Sequence, residues 1–290
     1  MILSAIWGSA FIAIKICLTT INPITLASLR LIIASIFLLF FFYIKNYKIN
    51  FTKIDIYTLI AVGIIGNFIP FVLISWAEQY IQSNIAGLLM SIGPIITLVL
   101  AHYFTKDDKF SKLKFVSISI GLLGALFIID FRTFLDLGSE TPISLVAKLA
   151  VILAATGYMT SNILAYNKLS NMSSYSITTF ATLFGAISSI PFMFYFEYTN
   201  PSTLNISTSV SIIYLGLFPT AIAFQFRYYI TKKSGPIFLS YVAYLIPAFA
   251  VIWGYLILDE KINQNSFIGI LFILFGVYIG QKKLMDKKSI

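Results

Sequence analysis

Four basic residues, Lys15, Arg30, Lys148 and Arg227, stand inside long apolar stretches of this 290-residue sequence. A charge in such a place is costly unless it reaches an aqueous boundary or faces polar partners, so it marks a candidate path for a polar solute. Lys15 lies seven residues before Asn22, and Arg30 eight after it. With Asn22-Pro23 at the turn of a helical hairpin, both stand roughly 10–12 Å deep at 1.5 Å per residue. Two readings fit that depth. The side chains snorkel to the outer boundary, or Lys15 and Arg30 face the outer end of a cavity and are balanced by Glu78, the acid ending a later helix. Lys148 and Arg227 fall nearer helix ends, where snorkelling is the simpler reading. Polar and aromatic residues in the same stretches complete a candidate substrate-binding set with Lys15: Trp7, Ser9, Asn67, Trp76, Gln79, Ser91, Tyr158, Asn162, Gln225, Tyr228, Tyr241 and Tyr244. Aromatic rings with a polar handle suit such a lining, although packing and interfacial belts compete for each one. Pro94 and Pro247 each remove a backbone hydrogen bond inside a run and are candidate hinges. Tyr103, Tyr195 and Tyr198 read as interfacial belts.

Covalent or metal chemistry finds little material. A single cysteine, Cys17, excludes an internal disulfide and a cysteine zinc site. A single histidine, His102, stands eleven residues after Ser91 on one helix, about 16 Å away along its axis, too far for a nucleophile–base pair. Two carboxylates sharing a site, as an aspartyl protease needs, are missing from the centre of every run. No catalytic residue, cofactor or metal is expected.

The elements that must position these residues follow from composition. Hydrophobic residues make up 59% of the chain and charged ones 11%, against about 45–50% and 25% in soluble domains. That excludes an ordinary cytosolic enzyme, a nucleic-acid-binding domain and a disordered chain. Ten runs are long enough to cross a bilayer as helices: 2–21, 24–44, 56–77, 85–104, 113–131, 143–165, 175–196, 208–230, 236–258 and 265–281. The alternating polarity of a membrane β-barrel is absent. The first run lacks a basic leader and a good cleavage site, so it reads as a retained helix. The expected fold is an all-α integral membrane protein with ten transmembrane helices.

Charge sets the orientation. With the N-terminus inside and the runs alternating, fourteen basic residues fall in cytoplasmic positions and two, Arg132 and Lys261, outside. Both termini are thus expected in the cytoplasm, and the net charge of +9 reflects topology rather than a polyanion partner. The 17 Lys against 3 Arg, with many Ile, Phe and Asn, suit an AT-rich bacterial genome.

The two halves repeat. Gly63 precedes Pro94 by 31 residues, as Gly216 precedes Pro247. An acid–base pair follows each half-helix, Asp108-Lys109 and Glu260-Lys261, with Phe115 and Phe267 seven residues after each acid and Gly124 and Gly276 sixteen after it. The offset is 153 residues before the loop and 152 after it. Five helices per half is odd, so the second half, 143–290, enters the membrane inverted relative to the first, 1–142, as in secondary transporters with a midplane site.

These residues resemble the drug/metabolite transporter superfamily, in its ten-helix EamA-like branch. Trp7-Gly8-Ser9 through Lys15 is similar to the family's opening stretch, and Ser83–Pro94, running on to Phe104, to its fourth-helix motif. Leu245-Ile246-Pro247 through Asp259-Glu260-Lys261 is similar to the counterpart in the ninth helix, and Gly269–Gly276 to the tenth. Two features depart from the pattern: Asp107-Asp108 stands for the usual acid before the fifth helix, and Gly157-Tyr158 lies where a sixth-helix tryptophan is expected. The resemblance implies an exporter or permease for amino acids, other small metabolites or drugs, with cytoplasmic termini. It also implies a cavity lined mainly by the first, third, fourth, sixth, eighth and ninth helices.

The function expected is a secondary transporter or exporter of small metabolites, amino acids or related compounds, across the bacterial cytoplasmic membrane, working by alternating access around a central cavity, with a small-molecule substrate and the lipid bilayer as partners and no nucleic acid. A channel-like facilitator is the alternative, and a polytopic membrane enzyme a distant one. Acids cluster at loops, which favours facilitated transport or export down a gradient over proton coupling through a buried carboxylate.

Overall fold

The computed structural model describes residues 1–47, 51–128, 141–196, 205–258 and 264–286. The expected acid–base pair Glu260-Lys261, with Asp259, Arg132 and Lys48, lies outside the described residues. Within them the chain is helical, without strands. In chain order the helices are α1 (Ile2–Cys17), α2 (Pro23–Ile44), α3 (Lys53–Ala77), α4 (Ser83–Met90 and Gly93–Phe104) and α5 (Lys112–Ile128), then α6 (Pro142–Lys168), α7 (Ser174–Phe196), α8 (Ile206–Ser234), α9 (Pro236–Ser240 and Val242–Leu258) and α10 (Gln264–Asp286). Seven of them, α2, α3, α4 and α6 to α9, are long and apolar enough to cross a membrane. Helix α1 and the Phe267–Gly280 part of α10 are shorter apolar helices.

Local chemistry sets the ends. Pro142 and Pro23 begin α6 and α2, where a missing N–H costs nothing. Thr52 and Asp55 form a reciprocal capping box at the start of α3, and Asn205 caps α8 by accepting from Thr208 N at 2.7 Å. Exposed Ile36, Phe40, Leu149, Leu153, Ile187 and Ile213 spread apolar surface around the outside, as lipid-facing helices require.

Helix α1 packs against α9 and α8, α2 against α7 and α8, α3 against α6 and α7, and α5 against α10. The α5–α10 crossing depends on small residues: a Cβ on Gly124 would stand 2.6 Å from Gly269 O. Without a hydrophobic drive between helices in lipid, such close backbone approach is the main source of association.

Two helices are locally unwound, each at a proline. Helix α3 widens into a π-helical turn at Ile64–Phe68, just before Pro70, and α8 does so at Gly216–Ile222, around Pro219. Helix α4 breaks at Ser91-Ile92, and α9 at Tyr241. Pro94 therefore sits in the first turn of a new segment rather than inside a continuous helix, where its ring would clash with the preceding turn. Pro247 does lie inside its helix.

Candidate functional site

Two arginines are buried between the helices: Arg30 on α2 is 6% exposed and Arg227 on α8 is 1% exposed. Both line one cavity between the helices, of about 80 Å³, room for several waters at roughly 10–15 Å³ each. Its wall is built from Trp7, Phe11 and Ile14 of α1, Ile74 of α3, Met90 of α4, and Tyr158, Met159 and Asn162 of α6. Leu239, Ser240, Val242, Ala243 and Ile246 of α9 close it. The helices implied by the family resemblance all contribute, and α2 adds Arg30.

Arg227 is held by neutral acceptors. Its Nε donates to Asn162 Oδ1 at 2.6 Å, and its terminal nitrogens donate to Ser161 Oγ at 2.7 Å and to Gly66 O and Tyr158 O at 3.2 Å each. Gly66 permits this approach: a Cβ there would run into the Ser161 side chain. Arg30 is held differently. Its guanidinium stacks 3.7 Å from the Phe71 ring centroid, and among the described residues only its Nε donates, to Thr220 Oγ1 at 2.6 Å.

An aromatic wall joins the two cations. Phe71 meets Tyr158 at 6.4 Å and Phe224 at 5.7 Å between centroids. The Arg227 guanidinium carbon stands 5.2 Å from the Tyr158 ring and 5.0 Å from the Phe224 ring. Trp7 sets its edge to Phe224 at 6.3 Å and donates its Nε1 proton to Pro219 O at 3.0 Å. Cations over π faces gain roughly 2 kcal/mol when desolvated.

Of the residues singled out from sequence, Trp7, Tyr158, Asn162 and Arg30 meet at this cavity. Lys15 does not. Its side chain is exposed, and its ammonium donates to the main-chain oxygen of Glu78 at 2.6 Å rather than to the carboxylate. The end of α3 leaves carbonyls without helical partners, and a cation satisfies one of them. The Glu78 carboxylate is buried, with Oε2 accepting from Ser83 Oγ at 3.0 Å and Oε1 unpartnered among the described residues.

The other candidates serve elsewhere. Ser9 Oγ pairs with Tyr214 OH at 2.5 Å, and Trp76 packs on Tyr80. Gln79 is exposed. Ser91 Oγ donates to Ala243 O at 3.5 Å, reaching across from α4 to α9. Tyr241 OH pairs with Ser117 Oγ at 2.6 Å, and Tyr244 OH donates to Ile118 O at 2.9 Å, so both tie α9 to α5. Gln225 Nε2 donates to Ser174 Oγ at 3.3 Å. The Asn67 side-chain amide and the Tyr228 hydroxyl are buried without a partner among the described residues.

The residue that sequence reasoning missed is Arg227. Its depth alone suggested snorkelling, and the available signal was the polar pair Ser161-Asn162 in the otherwise apolar α6.

A second group of contacts gathers around Asp108. Asp108, before α5, accepts from Ile237 N at 2.9 Å through Oδ2 and from Lys114 Nζ at 2.7 Å through Oδ1. It thereby fastens the start of α9, beyond the positive-φ turn at Gly235, to the α4–α5 loop.

Apolar helices packed around a cavity that holds two buried arginines define a multi-pass membrane protein. The chain belongs to the EamA-like transporter family, which matches residues 1–130 and 142–279, and so to the drug/metabolite transporter superfamily. Among similar proteins are the uncharacterized transporter YoaV of Bacillus subtilis (strain 168), 23% identical over 94% of this chain and 92% of its own, and an uncharacterized transporter of Archaeoglobus fulgidus, 28% identical over 96% and 95%. An uncharacterized transporter in the trpA 3' region of Buchnera aphidicola is 28% identical over 96% of this chain and 90% of its own. A solved crystal structure shares the fold at a TM-score of 0.75 and 15% identity, covering 96% of this chain and 94% of that one.

Proposed function

We propose that this membrane transporter is a secondary carrier that exports small metabolites across the bacterial cytoplasmic membrane by alternating access. The observation that carries the reading is the cavity between the helices that holds Arg30 and Arg227 and is lined by residues of α1 to α4, α6, α8 and α9. Ten spans form two inverted five-helix halves, 1–142 and 143–290, with both termini cytoplasmic. The π-helical turns support the repeat, since they begin 152 residues apart at Ile64 and Gly216. So do the breaks in α4 and α9, about 150 residues apart at Ser91 and Tyr241. The family's match to two separate segments, 1–130 and 142–279, supports that division.

The cavity is reached from one end by releasing Asp108 from Ile237, and from the other by parting α1 from α3 and α8. At that second end Lys15 meets Glu78 O, and Thr20 Oγ1 meets Thr208 Oγ1 at 2.8 Å. Pro94 and Pro247 are the hinges on which α4 and α9 bend. The substrate is a small molecule, and the bilayer is the other partner.

The test is a proteoliposome screen over amino acids, their catabolites and cationic dyes. The carrier reading predicts saturable uptake of at least one solute and acceleration by the same solute on the opposite side. Uptake of none, or linear uptake without that acceleration, overturns it; the latter is the behaviour of a channel.

A further inference from the structure

We infer that the cavity recognises a small apolar monocarboxylate through the free guanidinium fork of Arg30, with Arg227 as the second positive charge, and disfavours solutes carrying an ammonium group. This rests on the carrier reading above and names the substrate class of the same cavity.

The two arginines differ in what they leave unused. Arg227 spends four of its five N–H donors on Asn162, Ser161, Gly66 and Tyr158. Arg30 donates only through Nε, to Thr220, and its terminal nitrogens make no hydrogen bond among the described residues. Stacking on Phe71 and the Thr220 bond fix the plane of the guanidinium. A planar fork with both terminal nitrogens open is the geometry that takes a carboxylate bidentately.

Charge points the same way. Every acceptor on Arg30 and Arg227 is neutral, and the ion pair formed among the described residues is Lys114–Asp108, away from this cavity. Two buried cations that no carboxylate touches are costly, several kcal/mol each even after relaxation, and the buried Glu78 carboxylate offsets Arg30 only through space. An arriving anion removes part of that cost, whereas a cation adds to it. The lining contains no acid, Glu78 included, so an ammonium would lose water and gain no opposite charge. Ile14, Ile74, Met90, Leu239 and Ile246 offer the body of the solute an apolar surface.

The experiment uses three molecules with one branched carbon skeleton: 4-methylpentanoate, its neutral amide 4-methylpentanamide, and leucine. Binding to the purified protein is read by tryptophan fluorescence, since Trp7 lines the cavity. Flux is read as counterflow of labelled 4-methylpentanoate above protein-free liposomes. The inference predicts at least tenfold tighter binding of the carboxylate than of the amide or leucine. It also predicts that Arg30→Gln weakens carboxylate binding at least tenfold more than amide binding and so removes that preference, with Arg30→Lys between the two.

Equal binding of carboxylate and amide, tighter binding of leucine, binding of none of the three, or an unaltered preference in Arg30→Gln each overturns it. If Arg30→Gln does not fold, the three-molecule comparison on the unaltered protein decides alone. Counterflow of other solutes without carboxylate selectivity leaves the carrier reading standing and sinks this inference. Arg30-dependent carboxylate binding without flux of any solute supports the site and sinks the carrier reading.

Discussion

Pro70 and Arg227 meet through one carbonyl. Pro70 has no N–H to give Gly66 O four residues earlier, and an Arg227 terminal nitrogen donates to that oxygen at 3.2 Å. Pro219 likewise offers nothing to Leu215 O; the Thr220 hydroxyl donates to it at 2.7 Å and in turn accepts from Arg30 Nε at 2.6 Å. In lipid a freed carbonyl must find a partner within the protein. The proline turns of α3 and α8 thus create the acceptors that hold the two cavity cations.

Gly66→Ala tests the first of these contacts. The added methyl meets Ser161, so α6 must shift from α3 and the Arg227 acceptors move with it. A loss of about 1–3 kcal/mol is expected, read as a lowered thermal midpoint in detergent, together with weaker binding of the cavity solute.

Thr220→Val tests the second. It removes the donor to Leu215 O and the acceptor for Arg30 in one change. Leaving both groups unpaired costs about 1–3 kcal/mol each at most. Thr220→Ser should restore thermal stability and flux, because the hydroxyl is the part in use; a serine variant no better than valine would rule this account out.

Lys15→Met should be mild. The exposed ammonium caps the end of α3, a contact typically contributing 0.3–1 kcal/mol. Flux per folded molecule should stay within twofold of the unaltered protein, and Arg30→Gln measured in parallel should fall by at least tenfold.

Asp108→Ala should loosen one end. It removes the acceptor for Ile237 N and the partner of Lys114. On a Cys17→Ser, Ser240→Cys background, with position 240 buried at the cavity wall, thiol labelling from the Asp108 side should speed up several-fold. Labelling from the opposite side should slow.

The apolar helices were legible because twenty-residue runs admit one explanation in a chain this poor in charge. Turns such as Asn22-Pro23 were legible for the same local reasons that start α2. The site was legible in part. Trp7, Tyr158 and Asn162 stood out as polar or aromatic groups in apolar runs. Counting from Asn22 gave Lys15 and Arg30 equal depth, but depth carries no direction around the helix. Lys15 points to the outside and Arg30 to the cavity, a difference set by packing of α1 and α2 against different neighbours. Arg227 lies only seven residues before the end of α8, so its position along the helix resembles that of a snorkelling residue. Its burial depends on Ser161 and Asn162 arriving from α6, 65 residues away in sequence. The break before Pro94 shows the same limit, because a proline in an apolar run is equally readable as a kink or as a new start.

The most direct test of alternating access is labelling of Ser240→Cys, on the Cys17→Ser background, by a membrane-impermeant thiol reagent in right-side-out and inside-out vesicles. The account predicts labelling from both sides. It also predicts that a disulfide between Asp108→Cys and Ile237→Cys abolishes labelling from that end alone, and that a reductant restores it. Labelling from one side only, unchanged by the crosslink, would contradict a cavity that opens alternately to the two faces.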